Sequence, residues 1–296
     1  MVSGHPRCSP TAQAWLFLSP VLVFMALFVV VPVAGTIVNA LYRDVSYLPR
    51  VFVGMGNFRA LLASRTLPAA LTFTLLFTVA AVSLQTVLGV SFALLLHERF
   101  AGRTLLRTAI LVPWALPTIV SGKTWKLIFD YSYGILNHLL LECGIIDQRI
   151  NWLGTPGGAL WSIVAAEVWK TTPFMVIIVL AGLQGLPRDI YQQARIDGAG
   201  MVRRLLTITL PLLRPVVAIA LVFRTIDSLR IFDLVFVLTG GGPGGSTASL
   251  SMLGYEYFSN DRFGMGSAVS LLTFAVAFAC TLVYLRLGAV TPNPRE

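Results

Sequence analysis

Charged residues are scarce in this 296-residue chain: they make up 12% of it, about half the roughly 25% of an ordinary soluble domain. Such a chain cannot clothe a water-facing surface, which points to lipid as its solvent. Histidine and cysteine are as sparse. His5, His97 and His138 are scattered, with no nucleophile elbow and no metal-ligand spacing beside any of them, so the residues offer no catalytic centre. Cys8, Cys143 and Cys280 stand far apart, without the spacing of a disulfide framework or a zinc site, and read as structural. A phosphate-binding loop is also missing. Ser121-Gly122-Lys123-Thr124 has the right ending, but Pro117 stands where the first glycine belongs, and the stretch from Gly240 to Thr247 carries no lysine. The chain is expected to bind no cofactor and no ATP of its own.

What it has instead is apolar length. Hydrophobic residues make up 56% of the chain. They gather into six runs, Ala14–Leu41, Leu67–Leu96, Leu105–Phe129, Ala159–Leu186, Leu210–Leu238 and Ser267–Leu287. Each reaches the about 20 residues needed to cross a hydrocarbon layer of about 30 Å. The first run is too long for the apolar part of a cleaved signal peptide and is expected to remain as a helix. The reading is an all-α integral membrane protein of six transmembrane helices, a single domain over 14–288 between tails at 1–13 and 289–296. Glycines 240–242, Pro243 and glycines 244–245 end the fifth run, because such a sequence cannot continue a helix. Pro20, Pro32, Pro113, Pro117, Pro173 and Pro215 lie inside runs, as neighbouring helices or water allow when they satisfy the freed backbone groups. The connections Tyr42–Arg65 and Asp130–Gly158 are long enough for short interfacial helices that meet an external partner.

The formal charge of +9 could suggest nucleic acid, but the basic residues sit at membrane boundaries rather than on one solvated face. Arg99, Arg103, Arg107, Arg188, Arg195, Arg203, Arg204 and Arg214 fall on one side with few acids, and the positive-inside rule makes that side cytoplasmic. Both termini are then cytoplasmic. Arg43, Arg50, Arg59 and Arg65, in the first outer connection, pull the other way.

Between the fourth and fifth runs, residues 187–209 form a connection expected on the cytoplasmic side. Ile190-Tyr191-Gln192-Gln193-Ala194-Arg195-Ile196-Asp197-Gly198-Ala199-Gly200 reads as a short amphipathic helix stopped by glycine, and Leu210-Pro211 starts the next helix. Its spacing resembles that of the binding-protein-dependent permeases of the maltose and glycerol-phosphate type, whose cytoplasmic loop runs E-A-A, three residues, G, nine residues, I-x-L-P. Gln192, Gln193, Ala194, Gly198, Ile208, Leu210 and Pro211 stand at those positions. Val53-Gly54-Met55-Gly56-Asn57-Phe58, Pro113-Trp114-Ala115-Leu116-Pro117, Trp169-Lys170 and the ending Leu238-Thr239-Gly240-Gly241-Gly242-Pro243 extend the resemblance over most of the chain. It implies the six-span importer permease fold, with Gln192, Gln193, Ala194, Asp197, Gly198, Ala199, Leu210 and Pro211 meeting an ATPase. It further implies a second related permease as heterodimer partner, two ATP-binding-cassette subunits that use ATP and Mg, an extracytoplasmic solute-binding protein, and residence among the lipids of a prokaryotic cytoplasmic membrane. Gln192 replaces the family's glutamate, so a hydrogen bond takes the place of a charge-assisted contact.

Polar groups inside the runs are costly in hydrocarbon and point to a pathway or to internal pairing. Glu167 and Lys170 lie in the fourth run; Arg224, Asp227, Ser228, Arg230, Ile231 and Asp233 lie in the fifth. Arg224, Ser228 and Ile231 share one helical stripe. Pairing at a spacing of three would join Glu167 to Lys170, Arg224 to Asp227 and Arg230 to Asp233. The resemblance instead implies sugar contacts at Lys170, Thr171, Phe174, Arg224, Ser228, Ile231 and Asp233. A di- or oligosaccharide of the trehalose or maltose kind is the expected cargo. Glycerol phosphate, a glycerophosphodiester or another polar solute is the alternative, and an ion-coupled transporter or channel working through Glu167 or Asp227 is the remaining rival.

Overall fold

The computed structural model describes residues 10–286. His5 and Cys8 lie outside the described residues, as do Leu287 at the end of the sixth run and the expected tails apart from 10–13. The chain opens with α1 (Pro10–Met25), a π-helical turn (Ala26–Val30) and α2 (Val31–Ala40) in one rod. A two-stranded hairpin follows, β1 (Tyr42–Arg43) antiparallel to β2 (Val51–Phe52), then α3 (Gly56–Leu62), α4 (Thr66–His97), α5 (Arg103–Ala115), α6 (Thr118–Ile128) and α7 (Ile135–Glu142). α8 (Pro156–Gln184) begins with Pro156 in its first turn and Thr155 as N-cap, whose Oγ1 accepts from the Gly158 amide at 3.2 Å. α9 (Arg188–Ile196) precedes a second continuous rod of α10 (Met201–Arg204), a π-helical turn (Leu205–Thr209) and α11 (Leu210–Leu229). α12 (Asp233–Leu238), α13 (Leu250–Ser259) and α14 (Phe263–Arg286) complete the described residues.

Each π-helical turn ends two residues before a proline, Pro32 or Pro211. A proline ring cannot donate to, and crowds, the carbonyl four residues back. The wider turn lets the preceding residue reach one carbonyl further: the Val31 amide bonds Ala26 and the Leu210 amide bonds Leu205. The rods therefore run on through their prolines.

α4 and α8 form the centre, and they run parallel. Gln85 meets Thr171, and four residues on Gly89 meets Met175, whose side chain an added Cβ would run into. Glycine at the contact lets two spanning helices close up, the usual device in lipid. α11 lies antiparallel across both, with Gly182 pressed against Val216 and Arg224 against Glu167. Phe73, Phe77, Ile163, Val164 and Leu234 fill the half of the core toward the hairpin, and Leu96, Met175, Val179 and Leu213 the other half.

Among the described residues, five helices are long and apolar enough to cross a membrane, and six if the bent pair α5 and α6 counts as one. Since α4 and α8 are parallel, the chain must cross between them, so the pair is a crossing. The expected third run is nevertheless not one helix: it bends by 95° at Leu116 and Pro117. The fifth differs too. Its helix starts at Met201 rather than at 210, stops at Leu229, and resumes as α12 after a break at Arg230 to Phe232. The connection 187–209 therefore holds α9 and the beginning of the spanning rod.

Candidate functional site

At the depth where both breaks fall, polar side chains of three helices close a ring. The Arg224 guanidinium of α11 donates through Nη2 to Glu167 Oε1 of α8 at 2.8 Å and through Nε to Gln85 Oε1 of α4 at 2.9 Å. Gln85 Nε2 donates to Thr171 Oγ1 at 2.9 Å, and that hydroxyl donates to the Glu167 carbonyl at 2.6 Å. All four residues are buried, Gln85 completely. A buried ion pair survives only when further hydrogen bonds satisfy its remaining groups, and here the carboxamide and the hydroxyl supply them. Nothing at the sequence level had marked Gln85, although it is the lone carboxamide in its apolar run.

Pairing departs from the spacing-of-three expectation. Glu167 turns to Arg224 rather than to Lys170, and Arg230 reaches Asp227 at 3.3 Å rather than Asp233. Arg224 does meet Asp227, at 3.4 Å, as expected. Lys170 donates through Nζ to the Leu116 carbonyl at 2.6 Å, the carbonyl left free where α5 gives way to α6. The second break is closed in the same manner, by Ser249 Oγ donating to the Ile231 carbonyl at 2.7 Å. Beyond the two breaks, α6 and α12 pack so tightly that a Cβ on Gly122 would lie 3.0 Å from Val237.

The expected stripe of Arg224, Ser228 and Ile231 is turned into the chain's own interior, together with Lys170 and Thr171. The side of α11 that this chain leaves uncovered carries Phe223 and Asp227, and exposed Arg230 follows at the break. Half-buried Phe174 meets Phe223 edge to face at 6.4 Å, and exposed Asp233 opens α12. Of the expected pathway residues, then, Phe174, Asp227 and Asp233 reach a free surface. Phe223 was missed because it reads as one more apolar residue in an apolar run.

At the far end, α9 ends as the sequence foretold. Gly198 has φ +74°, with its amide on the Arg195 carbonyl and the Ala199 amide on that of Ala194, a left-handed stop. An added Cβ would meet nothing within 4 Å, so backbone conformation, not close approach, selects glycine within this chain. Gln192, Gln193 and Asp197 are exposed, and Ala194 faces inward. Ile196, Met201 and Val202, beside Gly198, are uncovered apolar side chains.

Residues 85–295 match the family described as binding-protein-dependent transport system inner membrane component. The chain is 49% identical over 275 residues to the trehalose/maltose transport system permease protein MalF of Thermococcus litoralis, a match covering 93% of this chain and 92% of that protein. It is 37% identical over 279 residues to the sulfoquinovosyl glycerol transport system permease protein SmoG of Agrobacterium fabrum, covering 93% of this chain and 89% of that one. To the trehalose transport system permease protein SugA of Mycobacterium tuberculosis it is 36% identical over 292 residues, covering 97% and 92%. Among solved structures, a chain of a bacterial ABC transporter involved in the import of the acidic polysaccharide alginate shares the fold, with TM-score 0.81 and 21% identity over 93% of this chain and 94% of that one.

Proposed function

Because the chain belongs to the family of binding-protein-dependent transport system inner membrane components, a family of importer permeases rather than enzymes, we propose that its cargo is a di- or oligosaccharide of the trehalose or maltose kind. The observation that carries this reading is the uncovered patch beside the two helix breaks. Phe174 and Phe223 offer aromatic faces for the C–H side of a sugar ring, while Asp227, Arg230 and Asp233 offer acceptors and donors for its hydroxyls. Discontinuous spanning helices are where transporters place such sites. The names of two relatives, trehalose/maltose and trehalose permeases, support the same class.

In this reading a second, related permease faces the patch and the pathway runs between the two. Two ATPase subunits, which hold the ATP and Mg, dock around α9 on its exposed Gln192, Gln193 and Asp197 and on uncovered Ile196 and Met201. The α9 end is cytoplasmic, as are both termini. The hairpin end faces outward and receives cargo from a solute-binding protein. Residues 14–288 act as one transmembrane domain. Uptake of labelled trehalose and maltose by the assembled transporter tests the patch: Asp227→Asn and Phe223→Ala should each lower uptake about tenfold or more, the loss of one or two good contacts, while the binding protein keeps its affinity. Unchanged uptake in both variants would overturn it. Exposed Arg230 and the sulfoquinovosyl glycerol relative favour a second reading, an anionic glycerol derivative. Competition of sugar uptake by such compounds separates the two.

A further inference from the structure

α9 is set off from its neighbours by short non-helical links. Gly185-Leu186-Pro187 separates it from α8, and Gly198-Ala199-Gly200 separates it from the rod that runs unbroken from Met201 to Leu229 and carries Arg224. Glycine on both sides of Ala199, one of them left-handed, makes the covalent link a poor transmitter of force. Among the described residues, one hydrogen bond joins the side chains of α9 to another helix: the hydroxyl of half-buried Tyr191 meets Thr209 Oγ1 at 3.0 Å. Thr209 is buried and closes the π-helical turn of the rod, and its hydroxyl also bonds the Arg204 carbonyl at 3.3 Å. Ala194, one turn along from Tyr191, packs on the same side.

We propose that the Tyr191 and Thr209 hydroxyl pair is the latch through which movement of α9 is passed to the fifth span and so to the Arg224 ring. This rests on α9 being the ATPase dock. Tyr191 is a positioning residue: it touches neither cargo nor nucleotide. With the pair formed, α9 and the rod turn as one body; without it, α9 pivots on its glycines and hydrolysis is partly wasted.

The test uses the complete transporter, with partner permease, ATPase and binding protein, in proteoliposomes, and reads sugar molecules moved per ATP hydrolysed. Tyr191→Phe should lower that ratio roughly three- to tenfold, as expected for one hydrogen bond, with the ATPase still copurifying in full. Thr209→Val should do the same, Thr209→Ser should restore the ratio, and the double variant Tyr191→Phe with Thr209→Val should be no worse than either single change. An unchanged ratio, additive losses, or loss of the ATPase from Tyr191→Phe would each overturn the latch. The docking assignment fails separately, if Ile196→Glu with Met201→Glu, on the uncovered face, leaves ATPase copurification intact.

Discussion

Arg224 shows what a single residue discloses in a sequence and what only the fold adds. Its charge inside an apolar run announced a site, and its spacing from Asp227 offered a partner. In the fold its main partner is Glu167, 57 residues away in sequence, and Asp227 is half exposed and shared with Arg230. Arg224→Ala should therefore strand a buried carboxylate and cost about 3–5 kcal/mol, visible as lost membrane abundance. Adding Asp227→Ala should not rescue it, whereas adding Glu167→Ala should restore much of the folded protein. Rescue by the Asp227 change alone would refute the ring as the source of the loss. The charges were legible because hydrocarbon makes them conspicuous. Their pairing was not, because a spacing of three on one helix is visible in a sequence and contact between helices is not. Gln85, neutral and single, gave the weakest signal and holds the ring closed.

At the scale of elements, length and apolarity marked all six crossings, and α9 lay where its glycine stop placed it. The prolines were counted but could not be told apart. Pro20, Pro173 and Pro215 sit inside continuous helices, and Pro117 marks a bend of 95°. What distinguishes Pro117 lies elsewhere in the chain, in Lys170, which takes up the Leu116 carbonyl and so makes the extended backbone at that residue tolerable. Lys170→Met should leave that carbonyl bare, costing about 1–3 kcal/mol. In the purified chain this should lower the midpoint of thermal unfolding and raise the labelling of a cysteine placed at Thr118. If Lys170→Met melts like the parent and labels no faster, the bend is held by other contacts.

For the molecule as a whole, stability is concentrated in α4, α8 and α11, and the first rod stands apart. None of the most apolar stretch of Gln13–Ala40 is buried by this chain. It is fastened to the rest through α2, where Asn57 Nδ2 donates to the Ala40 and Tyr42 carbonyls at 2.8 Å each and Gly264 lies against the Tyr42 carbonyl. Phe24→Ala with Phe28→Ala should thus leave the unfolding temperature of the isolated chain in detergent unchanged, although the two rings touch each other. Phe77→Ala, at a fully buried position, should cost about 3–5 kcal/mol. A large shift from the first pair would mean that the rod packs on its own chain.

The ring of Arg224, Glu167, Gln85 and Thr171 also bears on how the protein is made. A chain emerging from the ribosome offers its spans to the membrane one at a time, and a charge at the centre of a lone helix costs about 2.5–3.5 kcal/mol on the insertion scale. The first rod and α4 carry no such burden and can enter unaided. α8 enters with Lys170 able to reach the Leu116 carbonyl of the preceding span, but Glu167 finds its counterpart only when α11 arrives with Arg224, some 57 residues later. Through that interval the fourth span holds a carboxylate in the bilayer without its main partner, and the arrival of one arginine supplies it.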